Sequence, residues 1–75
     1  MQPPMIGSWD VTVHRVRPFQ IHGDLYYELQ IARDDAPEAI VAVRVPEHAT
    51  EGVPQAGDRL SLTFLMGQVT AAKKR

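Results

Sequence analysis

Four of the five aromatic side chains lie in the first half of this 75-residue chain, and together with nearby arginines they are its best candidates for binding chemistry. An aromatic ring that stacks on a nucleic-acid base contributes about 1 to 3 kcal/mol, and an arginine neutralises phosphate or stacks in turn. Tyrosine, phenylalanine and arginine are also enriched at the centres of protein interfaces. The predicted ligand-binding residues are Arg17, Phe19, Ile21, Tyr26, Gln30 and Arg44.

The histidines and clustered acids do not predict a metal site. The histidines fall in a strand, a turn and a helical link, without the close spacing that brings imidazoles onto one metal. The acids fall in one turn-forming segment that lacks the ligand alternation and glycine of a calcium loop, which predicts a solvated turn. The residues concerned are His14, His22, His48, Asp34, Asp35 and Glu38.

The chain also lacks the arrangements that support catalysis. Ser8 and Ser61 have no neighbouring histidine or other base, and the sequence indicates no buried pair of carboxylates. We therefore expect a noncatalytic protein without a cofactor.

Length and composition favour one small globular domain. The sequence is 44% hydrophobic and 23% charged, and it has no run of about 18 apolar residues that would cross a membrane. It has no cysteine, and its first residues lack the basic and apolar regions of a secretory signal, so we expect a cytoplasmic protein. The net charge of −1 and pI of 6.2 argue against tight nonspecific DNA binding. The expected organisation is a flexible arm over residues 1–8, a β-barrel domain over 9–72 and a basic tail over 73–75.

The first half of the chain reads as two strands. Apolar and polar residues alternate from Trp9 to His14, and the spacing from Val13 to the next aliphatic residue predicts a β-bulge near His14 and Arg15. A turn at Gly23-Asp24 would then form a type II′ hairpin. That turn would pair His22 with Leu25, Arg17 with Gln30 and Val16 with Ile31. One face would carry the core residues Val16, Leu25, Tyr27, Leu29 and Ile31, and the other face would carry the candidate binding residues.

The second half predicts three more strands. Residues 33–38 are rich in turn formers and predict a loop, followed by a third strand over 39–45. Pro46 ends that strand and, with a glycine six residues later, indicates one or two helical turns. Leu60, Leu62 and Phe64 share one face of a fourth strand. A tight turn at Met66-Gly67 would pair Phe64 with Val69 and Leu62 with Ala71 on the fifth.

Five strands, a bulge in the first and a helical link before a fourth strand that begins at Gly57-Asp58-Arg59-Leu60 resemble the OB-fold, a partly open five-stranded Greek-key barrel. An SH3-like barrel is the alternative. The OB resemblance implies binding of single-stranded nucleic acid or oligosaccharide on the face of the second and third strands, or a protein contact there.

Three interpretations of that face stay open. It binds single-stranded nucleic acid weakly, it forms a protein interface or homodimer, or it is buried beneath the N-terminal arm. Trp9 could also stack a base, but its phase with Val11 and Val13 favours the core.

Overall fold

The structure is a computed structural model that describes residues 6–75, and it is all-β, with five strands and one short 3₁₀ turn. The strands are β1 (Ile6–Ile21), β2 (Asp24–Arg33), β3 (Ala36–Pro46), β4 (Arg59–Leu65) and β5 (Gln68–Lys74). The 3₁₀ turn, Glu47–Ala49, lies between β3 and β4 and confirms the predicted helical link. No helix among the described residues has the length and apolar character needed to span a membrane.

All five strands form one sheet in the order β3-β2-β1-β4-β5, and neighbouring strands are antiparallel. The long β1 is central, because its first half pairs with β4 and the part after Thr12 pairs with β2 alone. The two edge strands, β3 and β5, lie beside each other. A single parallel bridge between Thr50 and Ala72 joins the chain just after β3 to β5. The sheet is therefore barrel-like, with a seam that a continuous ladder does not close.

The predicted bulge in β1 is confirmed. Val13 is opposite Ile31 and Arg15 is opposite Gln30, so His14 is the extra residue on β1. A bulge increases the local twist and bends a strand. It allows one 16-residue strand to pair with β4 along its first part and with β2 along the rest.

The first hairpin turn lies one residue earlier than predicted, at His22-Gly23. Both central residues have positive φ, 51° and 85°, which is the mark of a type I′ turn. Gln20 rather than His22 is opposite Leu25, and Arg17 is opposite Glu28 rather than Gln30. The predicted register is wrong by two residues on β2. Because side chains alternate with period two, this error leaves both faces of the hairpin unchanged.

The second hairpin follows the prediction at its turn and departs from it further along. Met66 and Gly67 form the turn, with φ of 54° and 77°, and Phe64 is opposite Val69. Beyond that pair the register shifts, so that Leu62 is opposite Ala72 and not Ala71. The shift leaves Thr70 unpaired in the ladder and places Ala72 in the core at 2% exposure.

Strand β3 begins earlier than the predicted residue 39. Asp34 and Asp35 form a two-residue turn in place of the predicted loop over 33–38, and Ala36 pairs with Arg33. The next pair joins Ala32 to Ile40, so residues 37–39 are extra on the β3 side. The turn formers of this segment therefore build a tight turn followed by an irregular stretch of strand.

Both ends of the described chain belong to the sheet. Residues 1–5 of the predicted arm lie outside the described residues, whereas Ile6, Gly7 and Ser8 pair with β4. Of the predicted tail, Lys73 and Lys74 pair with β4 as part of β5. The backbone N–H of Arg75 donates to the carbonyl of Arg59 at 3.0 Å.

The core fills the concave side of the sheet. Tyr27 is 5% exposed, as its phase predicts, and Trp9 is half-buried at the margin, where it packs edge-on against Phe64 with ring centroids 4.9 Å apart. The largest fully buried side chains are Phe64, Leu29, Ile31, Leu62, Val11, Val13 and Val45. All of these side chains lie on the same face of their strands. The side chains at the alternate positions therefore face outward.

Candidate binding site

Two aromatic rings form a stacked pair on the outer face of the first hairpin. Phe19 on β1 is directly opposite Tyr26 on β2. Their ring centroids are 5.7 Å apart and their planes are inclined by 22°. Both side chains are half-buried. The type I′ turn creates this pair, because the predicted register would have placed Ile21 opposite Tyr26.

An arginine from the next strand lies over the Phe19 ring of this aromatic pair. Arg44 lies on β3, opposite Glu28. Its guanidinium carbon is 5.5 Å from the ring centroid of Phe19, two strands away. A guanidinium over a ring face is attracted by the ring quadrupole. Phe19, Tyr26 and Arg44 therefore form one continuous outer surface across β1, β2 and β3.

Further polar side chains extend this surface away from the hairpin tip. Arg17 and Arg44 flank Glu28 on the adjacent strands. Gln30 is opposite Arg15, which corrects the predicted pairing of Gln30 with Arg17. Within residues 6–75, the side chains of Arg15, Arg17 and Arg44 make no ion pair. A shallow depression of about 120 Å³ lies between Arg15, Arg17, Glu28 and Gln30.

A larger groove of about 510 Å³ opens in the seam between β3 and β5. The first hairpin contributes one wall, β3 another, and the turn before β5 a third, while Phe64 and Val69 reach it from the core side. The lining residues are Ile21, Tyr26, Ala42, Val43, Arg44, Pro46, Phe64, Gly67, Gln68 and Val69. Arg44 is the one charged residue among them.

The structure places all six predicted site residues on the outer face of the sheet, in two groups. Ile21, Tyr26 and Arg44 line the seam groove, with Phe19 stacked behind them. Arg17 and Gln30 lie in the depression next to it. Ile21 is 39% exposed. The expected aromatic and basic surface thus exists as one patch that leads into a groove.

Sequence reasoning missed the groove residues of the second hairpin, including Phe64, Gln68 and Val69. These residues lie about forty positions after Tyr26, and only closure of the sheet brings them beside it. The Met66-Gly67 turn was visible in the sequence, but nothing local indicated that this turn faces the tip of the first hairpin.

A second cluster of charged side chains lies near the bulge in β1, and it contains both arginines and carboxylates. Arg59 approaches Asp34 at 3.8 Å, and Arg75 binds the same carboxylate at 2.7 Å. A depression of about 400 Å³ there includes Thr12 and His14. No group of three or more histidine or acidic side chains in residues 6–75 is arranged to hold a metal ion. We assign no site to this end of the barrel.

The chain matches no protein-family model, and no curated protein and no solved structure shows significant similarity to it.

Proposed function

We propose that this chain is a noncatalytic binding module of the OB type that takes single-stranded nucleic acid across the outer face of β1, β2 and β3. The stacked pair Phe19 and Tyr26 with Arg44 above it carries the proposal. Aromatic faces stack bases of any sequence, and guanidinium groups neutralise the backbone between them. We expect weak, sequence-tolerant binding, because the whole chain has a net charge of −1.

The strand order supports the OB assignment over the SH3-like alternative. The first strand pairs with both the second and the fourth, and the third lies beside the fifth across the seam. The 3₁₀ turn falls between the third and fourth strands. These are the relations of a partly open Greek-key barrel, whose second and third strands carry ligands.

The local charge supports a phosphate-binding role. Arg15, Arg17 and Arg44 surround Glu28 on the outer face, and Asp24 lies on the same face at the tip of the hairpin. Since none of these three arginines is ion-paired within the described residues, binding phosphate would not require breaking an existing ion pair. Four of the nine acids lie away from these arginines, in the Asp34-Asp35 turn and near the 3₁₀ turn.

The experiment is fluorescence anisotropy of a labelled thymidine oligonucleotide of about twelve nucleotides, a length within the range that OB modules cover. Tyr26→Ala and Arg17→Ala should each weaken binding at low salt. Leu65→Ala and Lys73→Ala are the matched controls, because they remove an exposed apolar side chain and an exposed cation from β4 and β5, outside the proposed surface on β1, β2 and β3. No anisotropy change with the unaltered protein at low salt would end the nucleic-acid proposal.

Salt provides a second readout of the same contacts. The logarithm of a single-strand binding constant falls with the logarithm of salt concentration, with a slope of about −0.7 for each phosphate contacted. Arg17→Ala should make that slope shallower by about 0.7. Tyr26→Ala should lower affinity with no change in slope.

Exposed isoleucines on this face favour one further candidate, a protein interface or homodimer. Ile21 is 39% exposed and Ile40 is 49% exposed. A contact made by these side chains would be apolar and would respond little to salt. Sedimentation over a range of protein concentrations tests it, and Ile40→Ser should abolish any self-association that forms through this face. A monomer at every concentration excludes the homodimer.

A further inference from the structure

We propose that this protein self-associates through the free edge at the start of β1, where Ile6, Gly7 and Ser8 of two copies pair as antiparallel strands about a two-fold axis at Gly7. The partner is a second copy of this chain. The contact lies at the other end of β1 from Phe19, so it does not require nucleic-acid binding.

The start of β1 is paired on one side only. Residues 6–10 pair with β4, whereas pairing with β2 begins at Val11. On the β2 side, the carbonyl of Asp10 accepts a hydrogen bond from the backbone N–H of Asp34 at 2.9 Å. Because the backbone groups of successive residues point to alternate sides of a strand, Ser8 and Ile6 direct theirs to that same side. Within residues 6–75 neither has a pairing partner there, so another chain can pair with them.

This free edge is complementary to itself. With Gly7 on the axis, Ile6 of each copy is opposite Ser8 of the other. Each of these pairs exchanges both of its N–H···O=C bonds, because both residues direct their backbone groups toward the partner. Gly7 then forms a non-hydrogen-bonded pair with its own copy, at a Cα separation of about 4.5 Å. Glycine within a strand suits such a close approach of another backbone.

Exposed apolar side chains flank the free edge. Ile6 is 77% exposed, and Leu65, opposite it on β4, is 51% exposed. Met66 follows in the turn and is 74% exposed. In the paired dimer the two copies of Ile6 are diagonal neighbours on one face, with Cα atoms about 7 to 8 Å apart and Cβ atoms somewhat closer. Self-association therefore brings together apolar side chains that water surrounds in the single chain.

The lack of charge on this surface favours a second copy as the partner. Residues 6–9 and 60–72 contain no charged side chain. A two-fold axis brings the same patch of both subunits together, so a charge near the axis would repel its own copy. Asp10 lies three residues from the axis, which separates its two copies by about 20 Å along the paired strands.

The free edge also lacks the residues that protect the two outer strands of the sheet. Prolines and charged side chains keep edge strands from pairing with other chains. Residues 6–9 contain neither. The protective residues of the outer strands are Pro37, Glu38 and Pro46 on β3 and Lys73 and Lys74 on β5.

Single cysteines test the register directly, because the chain has no cysteine of its own. Ile6→Cys and Ser8→Cys proteins, mixed and gently oxidised, should form a mixed disulfide, since residues of a hydrogen-bonded pair have Cα atoms about 5.5 Å apart. Either protein oxidised alone should cross-link at least about ten-fold more slowly, because the two copies of one residue lie diagonally, about 7 to 8 Å apart.

Sedimentation measures the association itself. We expect a weak, reversible dimer, because so small a contact falls at the low end of interface sizes. Ile6→Lys should weaken it at least about ten-fold, since it places like charges close to the axis. Val53→Lys is the matched control, because Val53 is 61% exposed and lies in the loop before β4.

Two variants of Ser8 show whether the backbone makes the contact. Ser8→Pro should abolish the dimer, because proline has no N–H to donate to the partner. The pairing with β4 does not use this N–H, which points to the free edge. Ser8→Ala should leave the dimer unchanged, because it keeps the backbone groups.

Three results would overturn the proposed self-association. The first is a monomer at every protein concentration up to about 1 mM. The second is a dimer that Ile40→Ser dissociates and Ile6→Lys does not, which would place the contact on the outer face of β3. The third is a mixed disulfide that forms no faster than the disulfides of either cysteine variant alone.

Discussion

Arg75, directly after β5, donates two hydrogen bonds from its guanidinium to the carboxylate of Asp34, at 2.7 and 3.2 Å. Asp34 lies in the turn between β2 and β3, at the opposite end of the strand order. The same guanidinium donates to the carbonyl of Val11 on β1 at 3.0 Å. One side chain therefore links the last strand, the first strand and the β2–β3 turn.

We expect Arg75→Ala to lower the thermal midpoint of unfolding and Arg75→Lys to lower it by a smaller amount. A lysine keeps the charge but cannot form the two-pronged contact that a planar guanidinium makes with a carboxylate. Differential scanning fluorimetry measures both midpoints, with Lys73→Ala as the control. Equal midpoints for Arg75→Ala and the unaltered protein would show that the contact contributes nothing measurable.

The same contact should make stability depend on pH in the acid range. The hydrogen bond that Arg75 donates to Asp34 holds the pKa of this carboxyl below its ordinary value of 3.8, although desolvation opposes the shift. A carboxyl whose pKa is lowered by folding stabilises the folded state above its unfolded pKa and loses that contribution as the pH falls through the lower folded value. Urea midpoints of the unaltered protein and Asp34→Asn should therefore differ at pH 6 and converge below the folded pKa. A constant difference across that range would contradict the linkage.

Two leucines at different depths should respond very differently to truncation. Leu29 is fully buried, whereas Leu65 is 51% exposed. Leu29→Ala removes core contacts and leaves a cavity, at a cost of about 2 to 5 kcal/mol. Leu65→Ala should change the free energy of unfolding by less than about 0.5 kcal/mol. Urea denaturation at low temperature measures both, and similar costs would contradict the assigned burial.

The second hairpin turn offers a stabilising substitution. Met66 has a φ of 54°, a region that is unfavourable for most side chains and favoured by asparagine in type I′ turns. Met66→Asn should raise the free energy of unfolding by about 0.5 to 1 kcal/mol. Gly67→Ala is the opposite test, because it introduces a Cβ at a φ of 77° and should destabilise. Destabilisation by Met66→Asn would contradict the turn type.

If the outer face binds nucleic acid, Glu28 opposes that binding. It lies between Arg17 and Arg44 on the adjacent strands, where phosphates would approach. Glu28→Gln removes the negative charge and keeps the shape, so oligonucleotide affinity at low salt should rise by roughly three-fold or more. Anisotropy measures the change. An unaltered affinity would indicate that the nucleic acid binds away from Arg17, Glu28 and Arg44.

Much of the candidate surface follows from the sequence because strand alternation is a local property. Phe19 and Tyr26 have the phase opposite to Leu29 and Ile31, so they had to face away from the core even though the predicted register was wrong. The register depended on whether His22-Gly23 or Gly23-Asp24 forms the two-residue turn of the hairpin. Here His22 adopts a positive φ, which allows a type I′ turn whose twist suits a hairpin.

Alternation, glycine-containing turns and the spacing around His14 were thus enough to determine an all-β chain, its core face and the bulge in β1. Tertiary structure alone decided that β3 comes beside β5 to open a groove, and that Arg75 reaches Asp34. Those contacts join residues that are distant in the chain. Their placement depends on accumulated twist and on register shifts at Thr70 and at residues 37–39, which local sequence patterns do not specify.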